Sequence, residues 1–282
     1  MYLFAQVLGI SVGVYLIQMS AVSPVFSEMK VEPMGENNPL NSLLFVVYVL
    51  VGSLLLLILL KFYRGIMLYR LMEFFVIFFA SNIVFFVLFY IVLNEDYAVL
   101  LALASSFLLA LGKQIKPELR NVAAIVSSAG VGAVFGFSLN FLPSIVFAIL
   151  LSVYDYIAVF KTRHMITFAK EFSTKQLAFT LVSKKPEKKT EEERKTEVRY
   201  IPGRERRLEL GTGDVVVPMM VAVSSYYPFG WCGPVVIVLS ASVSLWMLMC
   251  YVSRKGKILP ALPFLTSGML VGTSVLWLST IL

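Results

Sequence analysis

Apolar residues run in blocks of about 16–23 along most of the chain, and polar residues gather in the gaps between them. Blocks of that length match the roughly 20 residues an α-helix needs to cross a bilayer. Nine spans are predicted, at 2–20, 43–62, 71–93, 97–112, 121–139, 143–164, 210–229, 234–253 and 260–282. The first block, "YLFAQVLGISVGVYLIQM", has no basic segment before it and is long enough to span, so it reads as a retained helix rather than a cleaved signal. Two stretches break the pattern. Segment 165–182, "MITFAKEFSTKQLAFTLV", is amphipathic and predicts an interfacial helix. Segment 184–207 mixes many charges with almost no large apolar residue and predicts a solvated, disordered or loosely helical linker. The chain therefore divides into spans 1–6 (1–164), a polar loop (165–209) and spans 7–9 (210–282).

Composition agrees. The chain of 282 residues is 59% hydrophobic, with a mean hydropathy of +0.84. A soluble domain is about 45–50% apolar. The expected class is an all-α polytopic membrane protein, located in the cell membrane with the bilayer as its main partner. The net charge of +7 reports topology rather than nucleic-acid binding. Every Lys and Arg except Lys30 falls in alternate gaps: after spans 2, 4, 6 and 8. The other gaps carry Glu28, Glu32, Glu36, Glu95 and Asp96, or no charge. The positive-inside rule then places the N-terminus in the cytoplasm and the C-terminus outside. A missed or extra helix would invert the alternation downstream, so the pattern also supports the span count.

Several polar features have structural readings. Cys232 and Cys250 lie near opposite ends of one predicted helix, about 27 Å apart at 1.5 Å per residue, too far to pair. Glu73 sits near a basic edge and is expected to pair there, and Asn82 reads as a packing residue. The small-residue stretch Ser127–Gly136, with Gly132 and Gly136 four apart, predicts close helix packing; a substrate groove is the sharper reading.

The three aspartates change the picture. Asp96 is in a gap, but Asp155 lies in span 6 and Asp214 opens span 7. An ionised carboxylate in lipid costs at least about 2.5–3.5 kcal/mol. Asp155 is six residues before Lys161 and Asp214 five residues past Glu209. Both therefore lie roughly 7–9 Å inside the same membrane edge, on antiparallel spans, where their carboxyls can face each other. Two facing carboxyls do not both ionise cheaply: one keeps a proton, the other carries charge, and a water fits between them. That is general acid/base equipment for hydrolysis. Gly211 and Gly213 beside Asp214 lack a Cβ, so a substrate backbone can approach and the helix start can be irregular. The competing chemistry is a proton or cation relay, as in an ion channel or secondary transporter, although no internal repeat is visible. Zinc or serine protease chemistry would need histidine, and the one histidine, His164, lies at an interface beside Arg163. No metal or cofactor is expected.

Tyr154–Asp155 ("YD"), Gly211–Asp214 ("GTGD") and Pro260–Pro263 ("PALP") occur in order on predicted spans 6, 7 and 9. Together they resemble the presenilin and signal peptide peptidase family of intramembrane aspartyl proteases, and the orientation, the "PALP" form and the compact loops look most like an archaeal presenilin homologue. The resemblance implies a presenilin-like nine-helix fold and cleavage of peptide bonds within transmembrane proteins. It assigns catalysis to Asp155 and Asp214, with Tyr154 beside the first. It assigns site shaping to Pro260, Ala261 and Leu262. Thr212 stands where presenilins usually have leucine, a position that influences cleavage preference. A helical substrate hides its carbonyls in its own hydrogen bonds. The stretch Arg206–Gly211, "RRLELG", is therefore expected to pair with unwound substrate as a strand, as the resemblance also implies, with Leu208 and Leu210 on one side. The expected partners are transmembrane proteins or peptides, and a homo-oligomer is compatible with the chain.

Overall fold

The computed structural model describes residues 1–28, 30, 40, 43–44, 47–48, 51–52, 55, 66–157, 180–183, 208–255 and 260–281. Its helices are α1 (Tyr2–Ser20), α2 (Pro24–Glu28), α3 (Ile66–Tyr90), α4 (Glu95–Ile115), α5 (Arg120–Ser138) and α6 (Phe141–Ile157). After two short strands, β1 (Thr180–Ser183) and β2 (Leu208–Gly211), come α7 (Gly213–Ser224), α8 (Tyr226–Phe229), α9 (Cys232–Lys255) and α10 (Leu262–Ile281). Among the described residues six helices, α1, α3, α4, α5, α9 and α10, are long and apolar enough to cross a bilayer, and α6 is a shorter apolar helix. The predicted span 43–62 lies mostly outside the described residues, as do 158–164, 165–179 and the whole of 184–207.

Two predicted elements are corrected. The amphipathic pattern extends helix to 182, but Thr180–Ser183 is a strand, antiparallel to β2 in the register Thr180↔Gly211 to Ser183↔Leu208. Thr180 and Val182 are β-branched and sit readily in an extended backbone once a partner strand is present. The seventh span, predicted at 210–229, begins as strand through Gly211 and becomes helical only at Gly213. Its regular helix then stops at Ser224. Pro228 supplies no N–H for the Ser224 carbonyl, and a separate turn of helix, α8, follows. Gly230, at φ 57°, takes the left-handed region that reverses the chain into α9.

The short α7 is the axis of the molecule. Every residue from Val217 to Ser224 is buried, as is Val215, which is what an all-round apolar helix requires. Val215, Met219 and Val223 join a core built with α1, α3, α4 and α5. Val217, Met220, Val221 and Ala222 join a second core with α6, α9 and α10. Glycines allow the close approach. Met219 packs against Gly9 of α1 and Gly132 of α5, and Val223 packs against Gly13 and Gly136. A Cβ at Gly136 would lie 2.7 Å from the Met220 carbonyl oxygen. The packing reading of Gly132 and Gly136 therefore holds, and α1 carries a matching pair.

Polar ties join the helix ends. Glu73 of α3 and Lys113 of α4 form an ion pair with both side chains buried, the pairing expected of Glu73 at a basic edge. Asn82 is partly buried in α3. At the opposite end Gln18 donates to the Tyr226 hydroxyl at 2.8 Å, and Tyr227 donates to the Phe137 carbonyl at 2.9 Å. Cys232 and Cys250 sit on α9, free and exposed.

Candidate active site

The site forms where the end of α6 meets the beginnings of α7 and α10. Asp155 lies in the last turn of α6 and is buried. The first N–H groups of a helix have no partner inside it, and the Leu262 amide, at the start of α10, donates to the Asp155 carboxyl. The surrounding sequence explains this start. The Ala261 carbonyl takes the Leu265 N–H at 3.1 Å, and Pro263 falls in the first turn, where a missing N–H costs nothing. Pro260 and Leu262 are buried and Ala261 partly so.

Asp214 is the second residue of α7 and is partly buried. Thr212 precedes the helix, and its carbonyl accepts from Val215 at 3.1 Å and Val216 at 3.0 Å. The chain passes from β2 into α7 across Gly211 and Thr212, so the Gly211 amide turns back to donate to the Asp214 carboxyl. A Cβ at Gly211 would stand 3.3 Å from Asp214 Oδ2; a side chain there would crowd the carboxylate. At Gly213 a Cβ would meet nothing within 4 Å, which leaves space open beside the acid. Asp214 feels the charge of Asp155, so the end of α6 and the start of α7 bring the two acids into one site. Each sits at a helix N-terminus, Asp214 on its own and Asp155 against that of α10, where backbone N–H groups favour an anion.

A cavity of about 320 Å³ is lined by Thr212 and Gly213, the two residues before Asp214, and by Leu262, whose amide donates to Asp155. Its walls are mainly apolar, with Phe135, Phe147 and Met220 among them. Ser127 and Ser128, from the small-residue stretch of α5, line it as well, so that stretch serves both packing and the cavity. The cavity does not reach Tyr154. That side chain is 36% exposed, because adjacent residues on a helix point about 100° apart. Leu208 and Leu210 lie in β2, paired with Ser183 and Leu181. Sequence reading missed Phe135 and Phe147, which look like any apolar span residue. It also passed over Glu73 as a wall residue and Gln6, which donates to the Val215 carbonyl at 2.9 Å, one residue from Asp214.

Residues 4–280 match the family described as signal-peptide peptidase, presenilin aspartyl protease. The chain belongs to this family. Its fold is similar to that of a presenilin family intramembrane aspartate protease solved in the C222 space group. The TM-score is 0.66 at 25% identity, over 97% of this chain and 94% of that one. A structure in the P2 space group, also of a presenilin family intramembrane aspartate protease, gives a TM-score of 0.62 at 25% identity, over 98% and 94%. Comparison with curated protein sequences gave no match. This presenilin-type aspartyl protease is thus a multi-pass membrane protein. The family match covers both Asp155 and Asp214.

Proposed function

We propose that the protein hydrolyses peptide bonds within transmembrane segments of other membrane proteins, with Asp155 and Asp214 as the catalytic pair. The observation that carries this reading is the electrostatic coupling of two acids in a bundle of apolar helices, next to residues that line an apolar cavity. A water held between the two is deprotonated by the ionised carboxyl as its oxygen adds to the substrate carbonyl carbon. The protonated carboxyl gives its proton to the carbonyl oxygen. As the gem-diol intermediate collapses, one of its hydroxyls returns a proton to the carboxylate that donated, the other carboxyl passes the proton taken from water to the leaving nitrogen, and the C–N bond breaks, which restores the singly protonated pair. The Leu262 and Gly211 amides fix the two acids through backbone groups, so alignment does not depend on flexible side chains.

The substrate is a membrane span because the apolar cavity lies among membrane helices. It must be unwound to expose its scissile carbonyl. Among the described residues β1 and β2 form a two-stranded antiparallel sheet that leads into Asp214, and an extended substrate segment adds to it as a third strand. Nine spans with a cytoplasmic N-terminus complete the reading. The family match does not favour the channel or transporter alternative.

The test is incubation of purified protein with a labelled single-span peptide. Wild type yields two fragments; Asp214→Ala yields none. Fragments from Asp214→Ala at the wild-type rate would overturn the assignment.

A further inference from the structure

We infer that Gln6 is a positioning residue for Asp214: its side-chain amide holds the first turn of α7 where Pro218 has removed a backbone hydrogen bond. This rests on the catalytic reading of Asp214.

The argument begins with the proline. In an α-helix the carbonyl of residue i takes the N–H of residue i+4. Pro218 lies inside α7 and has no N–H, so the Asp214 carbonyl receives nothing from position 218. On its other side Asp214 follows Gly211, Thr212 and Gly213, a stretch with two residues that restrict the backbone least. The peptide carrying the aspartate is thus weakly held by its own helix.

Gln6 is placed to supply the missing restraint. It is the only Gln, Asn or charged residue in α1 before Gln18 and is 0% exposed. A buried amide in an apolar bundle is unfavourable unless it is hydrogen-bonded. Its Nε2 donates to the Val215 carbonyl at 2.9 Å across 209 positions of sequence. In a regular helix that carbonyl already takes the Met219 N–H, so the glutamine uses its second lone pair and ties the turn to α1. Gly9 and Gly13 allow α1 to sit close enough for this side chain to reach. The neighbouring Tyr2 ring packs against both cores. Its hydroxyl faces the Gln6 side chain and lies in the field of Asp214. The first two turns of α1 therefore brace the peptide next to the acid, without contact to the substrate.

The test uses the full chain and the labelled single-span peptide, with three variants. Gln6→Met keeps length and removes the donor. Pro218→Ala restores an N–H at the position facing the Asp214 carbonyl. The third variant combines them. Loss of alignment at a reacting group lowers kcat rather than binding, so Gln6→Met should lose about tenfold or more in kcat with KM within about twofold. Pro218→Ala alone should stay within about threefold of wild type, and the double variant should recover most of the lost kcat. Wild-type kcat in Gln6→Met overturns the inference, and so does a loss carried by KM. If Gln6→Met fails to fold, the double variant decides. Folded and active, it supports the brace; folded but inactive, or unfolded like the single variant, it overturns it. Asp214→Asn is run in parallel. Turnover retained there rejects the catalytic reading itself, whatever the Gln6 series gives.

Discussion

Asp155 and Asp214 are each held by a backbone amide, from Leu262 and Gly211, and Asp214 feels the charge of Asp155. A pair that shares one water and one proton acts as a unit. Asp155→Asn and Asp214→Asn should each lower cleavage by about a thousandfold or more, and the double variant should be no worse than either. Thermal midpoints should change little, since each substitution removes a costly buried acid. Either single variant cleaving a span peptide at wild-type turnover would end the two-aspartate mechanism. Activity also requires the singly protonated pair. Acid protonates the base, alkali removes the proton to be donated, and cleavage against pH should be bell-shaped with two limbs that belong to the pair. A profile flat between about pH 4 and 9 would exclude this. The sequence singles out the two aspartates because a carboxylate inside a span needs a reason. It does not single out Gln6. An amide costs less than a charge in an apolar run, and its partner is a backbone carbonyl 209 residues away, which no local pattern records. Tyr154 was named from its place beside Asp155, and its side chain is 36% exposed.

At the scale of elements, the glycines decide where helices meet. Gly9 with Gly13 and Gly132 with Gly136 grip α7 from two sides through Met219 and Val223. Gly136→Ala would place its methyl against the Met220 carbonyl, a backbone atom that cannot move without shifting α7. The expected cost is about 1–3 kcal/mol, read as a lower thermal midpoint, with cleavage falling in parallel as Asp214 moves with its helix. An unchanged midpoint would show that α5 can give way. The hairpin makes a second prediction. Proline cannot donate to a ladder, so Leu208→Pro and Leu210→Pro remove N–H groups from one side of β2. Cleavage should drop about tenfold or more while the helical bundle stays folded, since β2 is an edge element. Undiminished turnover in both would reject strand pairing with the substrate. Span positions were legible from length and hydropathy alone, and α1, α5 and α10 fall within two residues of prediction. The hairpin was half legible. The stretch Arg206–Gly211 was expected to pair as a strand with unwound substrate, whereas Leu208–Gly211 pairs with Thr180–Ser183, at the end of an amphipathic stretch where helical periodicity does not reveal a strand partner. The α7 start was misread because a hydropathy run does not distinguish strand from helix where glycine stands at the join.

Over the whole molecule, the sequence carries topology more clearly than packing. Lipid is as apolar as the core, so the buried face of a span has no polar opposite face to betray it, and the axial role of α7 emerges only in three dimensions. Charge is different, because it is excluded from the hydrocarbon and sorted by insertion. By the positive-inside rule, the basic gaps after predicted spans 2, 4, 6 and 8 predict that one set of helix ends is cytoplasmic. The two native cysteines test this. Cys232 and Cys250 lie on α9 and are both exposed, about 27 Å apart along the axis. Cys250 is followed by Arg254 and Lys255, whereas Cys232 follows the uncharged stretch from Val215 to Trp231. In intact cells a thiol reagent that does not cross membranes should label Cys232 and spare Cys250. A cysteine at Thr190, in a background with both native cysteines changed to serine, should react only after the membrane is opened. Serine changes at these exposed positions leave the core untouched, so cleavage activity serves as the check that the labelled protein is native. Labelling of position 190 in intact cells would invert the orientation. It would place the paired aspartates near the outer face and direct the enzyme at the opposite end of its substrates' spans.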